Sequence, residues 1–305
     1  MLITKTQIKT VRIGVGKSFG TFGELLQGAL PGQVDFLVTF PIKCYSFAKF
    51  VSDPELNVIT VFPASKRKSQ RLVKMILDYY HLPLGGRLEL ESNIPVGKGL
   101  ASSSADLVAT ARAISNCFNL NLSNNLLQQF LMKLEPTDGV MYQGICSFKH
   151  KKVELIEFYR SSLPLTVVGI DEGGIVDTIQ FNKLPKKYNI HKQLEYEQLL
   201  SNMKIALKHR DLKTIGRIAT RSTVLNQEIR PKKYLNECLE ISNKFGGLGI
   251  ITSHSGTCIG ILLDSTDKLF NNKVNKISKS LQNLTDEVMI YHSWQEKEEV
   301  PWHDF

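Results

Sequence analysis

One run, Pro95-Val96-Gly97-Lys98-Gly99-Leu100-Ala101-Ser102-Ser103-Ser104-Ala105, constrains this chain more than any other feature. Before it, Arg87-Leu88-Glu89-Leu90-Glu91 alternates with the period of two that predicts a strand. After it, Leu107, Val108, Ala111, Ile114 and Phe118 form an apolar stripe at helical spacing. Glycines between a strand and a helix let the backbone approach a phosphate with no Cβ in the way. The helix start adds N–H groups that lack intrahelical partners and the positive end of the helix dipole. Three serines contribute hydroxyls, and Lys98 contributes a charge. A Ser-capped helix behind a glycine turn is the plainer reading of a short Gly-Ser loop. The full run is far more specific than that and reads as a triphosphate cradle.

Two other glycine patterns fail as nucleotide motifs. Gly14-Val15-Gly16-Lys17-Ser18 ends like a P-loop, but the upstream glycine of GxxxxGK[ST] falls at Val11. A dinucleotide GxGxxG fails as well, because its third glycine position holds Phe19 in one case and Ser102 in the other.

The remaining pattern is mixed. Val11, Ile13 and Val15 alternate with Arg12, Gly14 and Gly16 as in a half-buried strand, and residues 37–51 and 57–62 are also β-rich. Leu72, Met75, Ile76, Tyr79 and Tyr80 share one helical face, and residues 123–134 read as a helix capped by Ser123. The second half opens with a strand over 165–170 and a glycine-containing turn. It continues with helices over 195–208, 212–225, 232–244 and 268–281, and strands over 249–252, 258–263 and 287–291. No regular βαβ rhythm appears, which predicts an α+β class. Ser161-Ser162-Leu163-Pro164 breaks the pattern, placing domains at 1–160 and 161–305. The leucine, isoleucine and tyrosine stripes, with Tyr79, Tyr80 and the methionines, are expected in the core.

Composition excludes several classes. No apolar run approaches the roughly 18 residues of a membrane span, and Met1-Leu2-Ile3-Thr4-Lys5 lacks a leader pattern. The five cysteines, Cys44, Cys117, Cys146, Cys238 and Cys258, are scattered without a CxxC pair. Free thiols in a reducing cytoplasm are expected, with neither zinc nor redox chemistry. The net charge of +9 and the clusters Lys66-Arg67-Lys68 and Lys149-His150-Lys151-Lys152 invite a nucleic-acid reading. Yet the basic residues are dispersed and no nucleic-acid module accompanies them. A small-molecule partner is expected rather than nucleic acid or membrane, with the oligomeric state open.

Residues Pro95–Ala105 resemble the second motif of the GHMP kinases, P-x-x-x-G-L-x-S-S-x-A, and fit it throughout. Two further landmarks of that family appear in order: Gly20-Thr21-Phe22-Gly23-Glu24-Leu25-Leu26-Gln27-Gly28 and Thr252-Ser253-His254-Ser255-Gly256-Thr257-Cys258. More narrowly, the chain is similar to the L-threonine kinase branch associated with cobalamin side-chain synthesis. The similarity lies in G-E-L-x-Q-G at Gly23 to Gly28, and in Glu135-Pro136-Thr137-Asp138-Gly139-Val140-Met141. It extends to Gly173-Gly174 followed by Val176-Asp177-Thr178, and to His254-Ser255-Gly256-Thr257. Gly16-Lys17 replaces the usual Ala-Pro of the first motif, and the third motif has fewer glycines than most.

The resemblance implies a GHMP kinase fold, in which a ribosomal-S5-like N-terminal domain and a ferredoxin-like α/β C-terminal domain share a cleft. It implies ATP held by Pro95, Gly97, Lys98, Gly99, Leu100, Ala101, Ser102, Ser103 and Ser104, with Mg²⁺ on Ser103 and Glu135. Asp138 is the candidate to accept or orient the acceptor's hydroxyl proton, and a turn-forming Asp before Gly139 is an equally good reading. The mevalonate kinase-like pattern would instead align its aspartate with Met141, whereas the P-D-N of homoserine kinase lies nearer this sequence. Glu24, Gln27, Gly173, Gly174, Asp177, His254, Ser255, Gly256 and Thr257 are the expected acceptor contacts. Asp171 and Asp177 serve equally well as turn caps, and Arg221 reads as a solvated charge. No function is assigned to Trp294 or Trp302. The implied activity is ATP- and Mg²⁺-dependent phosphorylation of L-threonine or a related amino alcohol such as homoserine or serine. A non-catalytic nucleotide-binding protein is the alternative.

Overall fold

The computed structural model describes residues 11–160, 162–174 and 188–296. Two 19-residue strands, β1 (Arg12–Leu30) and β2 (Val34–Ser52), form its axis as a long antiparallel ladder running from Arg12↔Ser52 to Leu30↔Val34. Gly32 and Gln33 turn the chain between them with φ of 81° and 58°. Around this pair lie β3 (Ile59–Phe62), α1 (Arg67–Tyr79), β4 (Gly86–Ser92), α2 (Ser102–Phe118) and α3 (Asn124–Met132). The chain continues through β5 (Ile145–Lys149), β6 (Glu154–Arg160), β7 (Leu165–Asp171), α4 (Ile190–His209) and α5 (Leu212–Leu225). It ends with α6 (Leu235–Phe245), β8 (Gly249–Thr252), β9 (Cys258–Asp264), α7 (Phe270–Leu281) and β10 (Val288–His292).

The strands join in one sheet of order β10-β7-β9-β8-β1-β2-β4-β3, with the β5–β6 hairpin attached to β2. Among the described residues every pairing is antiparallel except β3–β4, which α1 connects. β1 meets β8 at Glu24↔Thr252, so Glu24 stands where the two parts of the sheet join. The mixed α+β class expected from the sequence is the class observed. Helix α2 packs along β1 and β2, α4 and α5 cover the later part of β1, and α6 and α7 lie on β7, β8 and β9. Five free thiols are present, all but Cys44 buried. No described helix is long and apolar enough to cross a membrane.

Most elements fall where periodicity places them, and Ser123 caps α3 by accepting from the Leu126 N–H at 3.3 Å. At the start of β1 the alternation is right, but the glycine face turns inward. A Cβ on Gly14 would lie 2.6 Å from the Cys117 Cα, and one on Gly16 would lie 2.8 Å from the Arg112 Cβ. Helix α2 therefore sits directly on the strand backbone, and Val11, Ile13 and Val15 face solvent. Two expected core residues are also outside, since Tyr79 is 55% and Met132 57% exposed. The β5–β6 hairpin was not expected. Residues 145–148 are uniformly buried, so they carry no alternation to read. Near the end of the described chain, the Trp294 ring packs at a tilt against Phe19, centroids 4.9 Å apart, and its backbone N–H donates to the Pro41 carbonyl.

Candidate active site

The Gly-rich loop leaves β4 after Ser92 and is held at its base by Asn93, whose Oδ1 accepts from the Tyr45 N–H at 2.7 Å. Gly97 and Gly99 both adopt φ of 75°, and Ala101 adopts 61°, a left-handed conformation that a side chain tolerates only when its surroundings impose it. The Thr21 N–H donates to the Leu100 carbonyl at 3.1 Å, tying the loop to the bulged part of β1. On the other side, Cβ atoms built on Gly99 and Gly256 would each strike the backbone of the opposing segment. Three sequence segments, around 20–28, 95–105 and 252–258, thus converge on one place.

Helix α2 begins at Ser102 with left-handed Ala101 as its N-cap and no side-chain cap hydrogen bond. The serines are therefore not spent on capping, and the first-turn N–H groups remain open to an anion. Ser102 Oγ is buried without a hydrogen-bond partner among the described residues. Ser103 Oγ donates to Glu135 Oε1 at 2.5 Å, and Lys68, at the start of α1, pairs with the other carboxylate oxygen. Ser104 Oγ accepts from the Asp138 N–H at 3.2 Å. Glu135 and Asp138 lie in the loop after α3, which Thr137 fixes by donating its N–H to the His150 carbonyl at 3.2 Å.

The acidic groups are crowded. Burial first, and then the neighbouring Glu135, push the Asp138 carboxyl from 3.8 up to about 6. Glu24 is only 2% exposed, and its Oε2 has no hydrogen-bond partner among the described residues. Burial, with a smaller contribution from Asp138, raises the Glu24 pKa well above the usual carboxylate range.

The other expected contacts divide. His254 Nδ1 hydrogen-bonds Gln27 Oε1 at 2.8 Å, so Gln27 braces the third segment. Lys98 turns to Asp171 and to the Gly174 carbonyl, joining the loop to the turn after β7. Asp171 accepts from the Gly173 N–H at 3.0 Å and from the Thr257 hydroxyl, which is the turn-cap arrangement. Ser255 is buried. Arg221 forms a forked pair with Glu195 at 2.6 and 3.0 Å, in keeping with its reading as a surface charge. Asp177 lies outside the described residues.

Three residues here were not singled out as site residues from the sequence. Lys68 belonged to a basic cluster read for nucleic acid, as did His150, whose ring meets that of His254 edge-on, centroids 4.5 Å apart. Lys232, 7% exposed, donates to the Gly256 carbonyl at 2.9 Å. Their only sequence signal is charge or aromaticity, and their partners are remote along the chain.

Chemically, Ser103 and Glu135 present hard oxygen donors at the head of a helix. Such a pair fits Mg²⁺, which takes few protein ligands and completes its shell with phosphate oxygens and water. Among the described residues no cluster of three or more His, Cys, Asp or Glu offers a denser metal site.

Comparison with known proteins bears on this arrangement. The family model for the GHMP kinases N terminal domain matches residues 68–148, and that for the GHMP kinases C terminal domain matches residues 203–275. The L-threonine kinase of Salmonella typhimurium is 26% identical over 262 residues, covering 84% of this chain and 85% of that protein. Mevalonate diphosphate decarboxylase from Staphylococcus aureus superposes with a TM-score of 0.72 at 13% identity, over 94% of this chain and 97% of that one. Homoserine kinase from Cytophaga hutchinsonii superposes with a TM-score of 0.67 at 16% identity, over 92% and 95%. The two structural likenesses concern the fold.

Proposed function

The chain belongs to the GHMP kinase family, and from that premise we propose that it transfers the γ-phosphoryl group of ATP to the hydroxyl of L-threonine, in a Mg²⁺-dependent reaction. One observation carries the choice of acceptor. Glu24 is buried with an unpartnered carboxyl oxygen and lies within electrostatic reach of a second carboxyl, Asp138. A substrate that brings an ammonium group relieves that arrangement through a charge-assisted hydrogen bond, whereas a neutral polyol or a simple hydroxy acid does not. The similarity to L-threonine kinases points the same way.

In this reading the loop glycines and the open N–H groups of α2 bind the triphosphate, and Lys98 is within the same loop to compensate its charge. Mg²⁺ on Ser103 and Glu135 would neutralise charge on the phosphates. Glu24 holds the acceptor's ammonium, which aims its hydroxyl between Asp138 and the nucleotide. The new bond forms from the hydroxyl oxygen to the γ-phosphorus as the bond to the β–γ bridging oxygen breaks, and ADP leaves with that electron pair. The hydroxyl proton passes to the Asp138 carboxylate, whose raised pKa suits a base working near neutrality. Positioning does most of the work, because phosphoryl transfer has a loose transition state.

Comparing L-threonine with 3-hydroxybutyrate, the same skeleton without its amino group, tests the acceptor assignment. Turnover of threonine alone, with Glu24→Gln raising KM for threonine about tenfold or more, is the expected result. Equal turnover of both acids would remove the argument from Glu24.

A further inference from the structure

Lys68 is the unexplained group in this site. Its ammonium pairs with the Glu135 oxygen that faces away from Ser103, so both oxygens of that carboxylate are engaged. Glu135 is deeply set, with 8% of its side chain exposed, whereas the Lys68 side chain is 37% exposed. The carboxylate is set into the protein, and the ammonium reaches it from the solvent side.

The start of α1 is anchored to deliver Lys68 there. Lys66, the residue before the helix, pairs with Asp106 of α2 at 2.5 Å, and Ser46 of β2 donates to the same carboxylate at 2.6 Å. Asp106 therefore holds the first turn of α1 beside the first turn of α2, where the phosphate-binding loop ends. A lysine at that point lies on the anion side of the cradle. It also holds the carboxylate that the proposed metal site requires, and a divalent ion and an ammonium repel strongly when they share one carboxylate at contact distance.

We propose that Lys68 has two stations: it neutralises Glu135 in the empty site, and when Mg²⁺·ATP binds it yields that carboxylate to the metal and moves onto the triphosphate. This rests on the kinase reading above. Lysine suits such an exchange better than arginine, being a compact point charge on a flexible stem rather than a planar fork that locks onto a carboxylate. The exchange keeps Glu135 compensated in both states, and it adds a cation to the phosphates as their charge arrives.

The test uses opposite signs. Lys68→Met and Lys68→Gln are compared with wild type by calorimetric titration with Mg²⁺ alone and with Mg²⁺ plus the non-hydrolysable analogue AMPPNP. The variants are expected to bind Mg²⁺ alone about tenfold more tightly, because a competing like charge is gone. They are expected to bind Mg²⁺·AMPPNP about tenfold more weakly, because a charge-assisted phosphate contact is lost. Nucleotide-free melting with added Mg²⁺ gives a second readout: the variants gain a stabilisation that wild type lacks. A lysine that only tethers α1 would lower the melting temperature without changing either affinity. That result, or a change of both affinities in the same direction, overturns the proposal. Wild-type protein that binds no Mg²⁺·AMPPNP overturns the kinase reading and this proposal together. Wild-type binding with an unresponsive Lys68→Met overturns the role of Lys68 alone.

Discussion

Gly256 packs its α-carbon against the carbonyl of Lys98, so closely that a Cβ on Gly256 would overlap that oxygen. The contact joins the loop after β4 to the segment between β8 and β9, and Lys232 braces it by donating to the Gly256 carbonyl at 2.9 Å. Gly256→Ala must push the two segments apart. Overpacking of this kind costs about 1–3 kcal/mol, to be read from urea unfolding. Nucleotide affinity is expected to fall with it, and a variant that matches wild type in both would show that the two segments close less tightly than described.

The Ser103–Glu135 pair predicts a catalytic loss without a stability loss. Ser103→Ala removes an exposed hydroxyl that donates to Glu135 at 2.5 Å. It is expected to lower kcat about 100-fold while the melting temperature stays within a few degrees. Steady-state kinetics over a Mg²⁺ series would check it, and full activity would dismiss Ser103 as a metal ligand.

Asp138 gives a pH prediction. Its carboxyl is raised from 3.8 to about 6, chiefly by burial. A raised carboxyl binds protons more tightly in the folded state than in the unfolded one. Stability is therefore lost as pH climbs from about 4 to about 6, and the penalty is complete above that window. Asp138→Asn lifts the penalty, so the variant is expected to be more stable than wild type at pH 8 by on the order of 2 kcal/mol, with the difference closing below pH 4. The same substitution is expected to abolish the acid limb of the kcat/KM profile, centred near pH 6 in wild type.

Lys232 has the opposite sign. Burial lowers its pKa from 10.5 to about 8, with Glu172 opposing the shift. The unfolded chain then holds the proton more tightly, and stability rises between those two values. Unfolding at pH 8 and pH 10 is expected to show this rise in wild type and to lose it in Lys232→Met.

The sequence was most legible where periodicity and caps agree. Ser123 before α3, the boundaries of α5 at Leu212 and Leu225, and the strands flanking the 252–258 segment all follow from spacing. The meeting of the 20–28, 95–105 and 252–258 segments was anticipated only through the family pattern. Spacing along the chain cannot show that Gly99 and Gly256 touch. What escaped has physical causes. A fully buried strand such as β5 has no polar face to mark its period, and Gly14 and Gly16 turn inward because α2 leaves no room for side chains. Lys68 and His150 acquire their settings from partners 67 and about 100 residues away, Glu135 and His254, which local pattern cannot supply.

The proposed reaction is transfer of phosphate from ATP to an amino acid. Its most direct test is ADP release with Mg²⁺·ATP against L-threonine, D-threonine, L-serine, L-homoserine, mevalonate and galactose, with the product identified by mass. The expected outcome is O-phospho-L-threonine as the fastest-formed product. Turnover of mevalonate or galactose with none of the amino acids would contradict it.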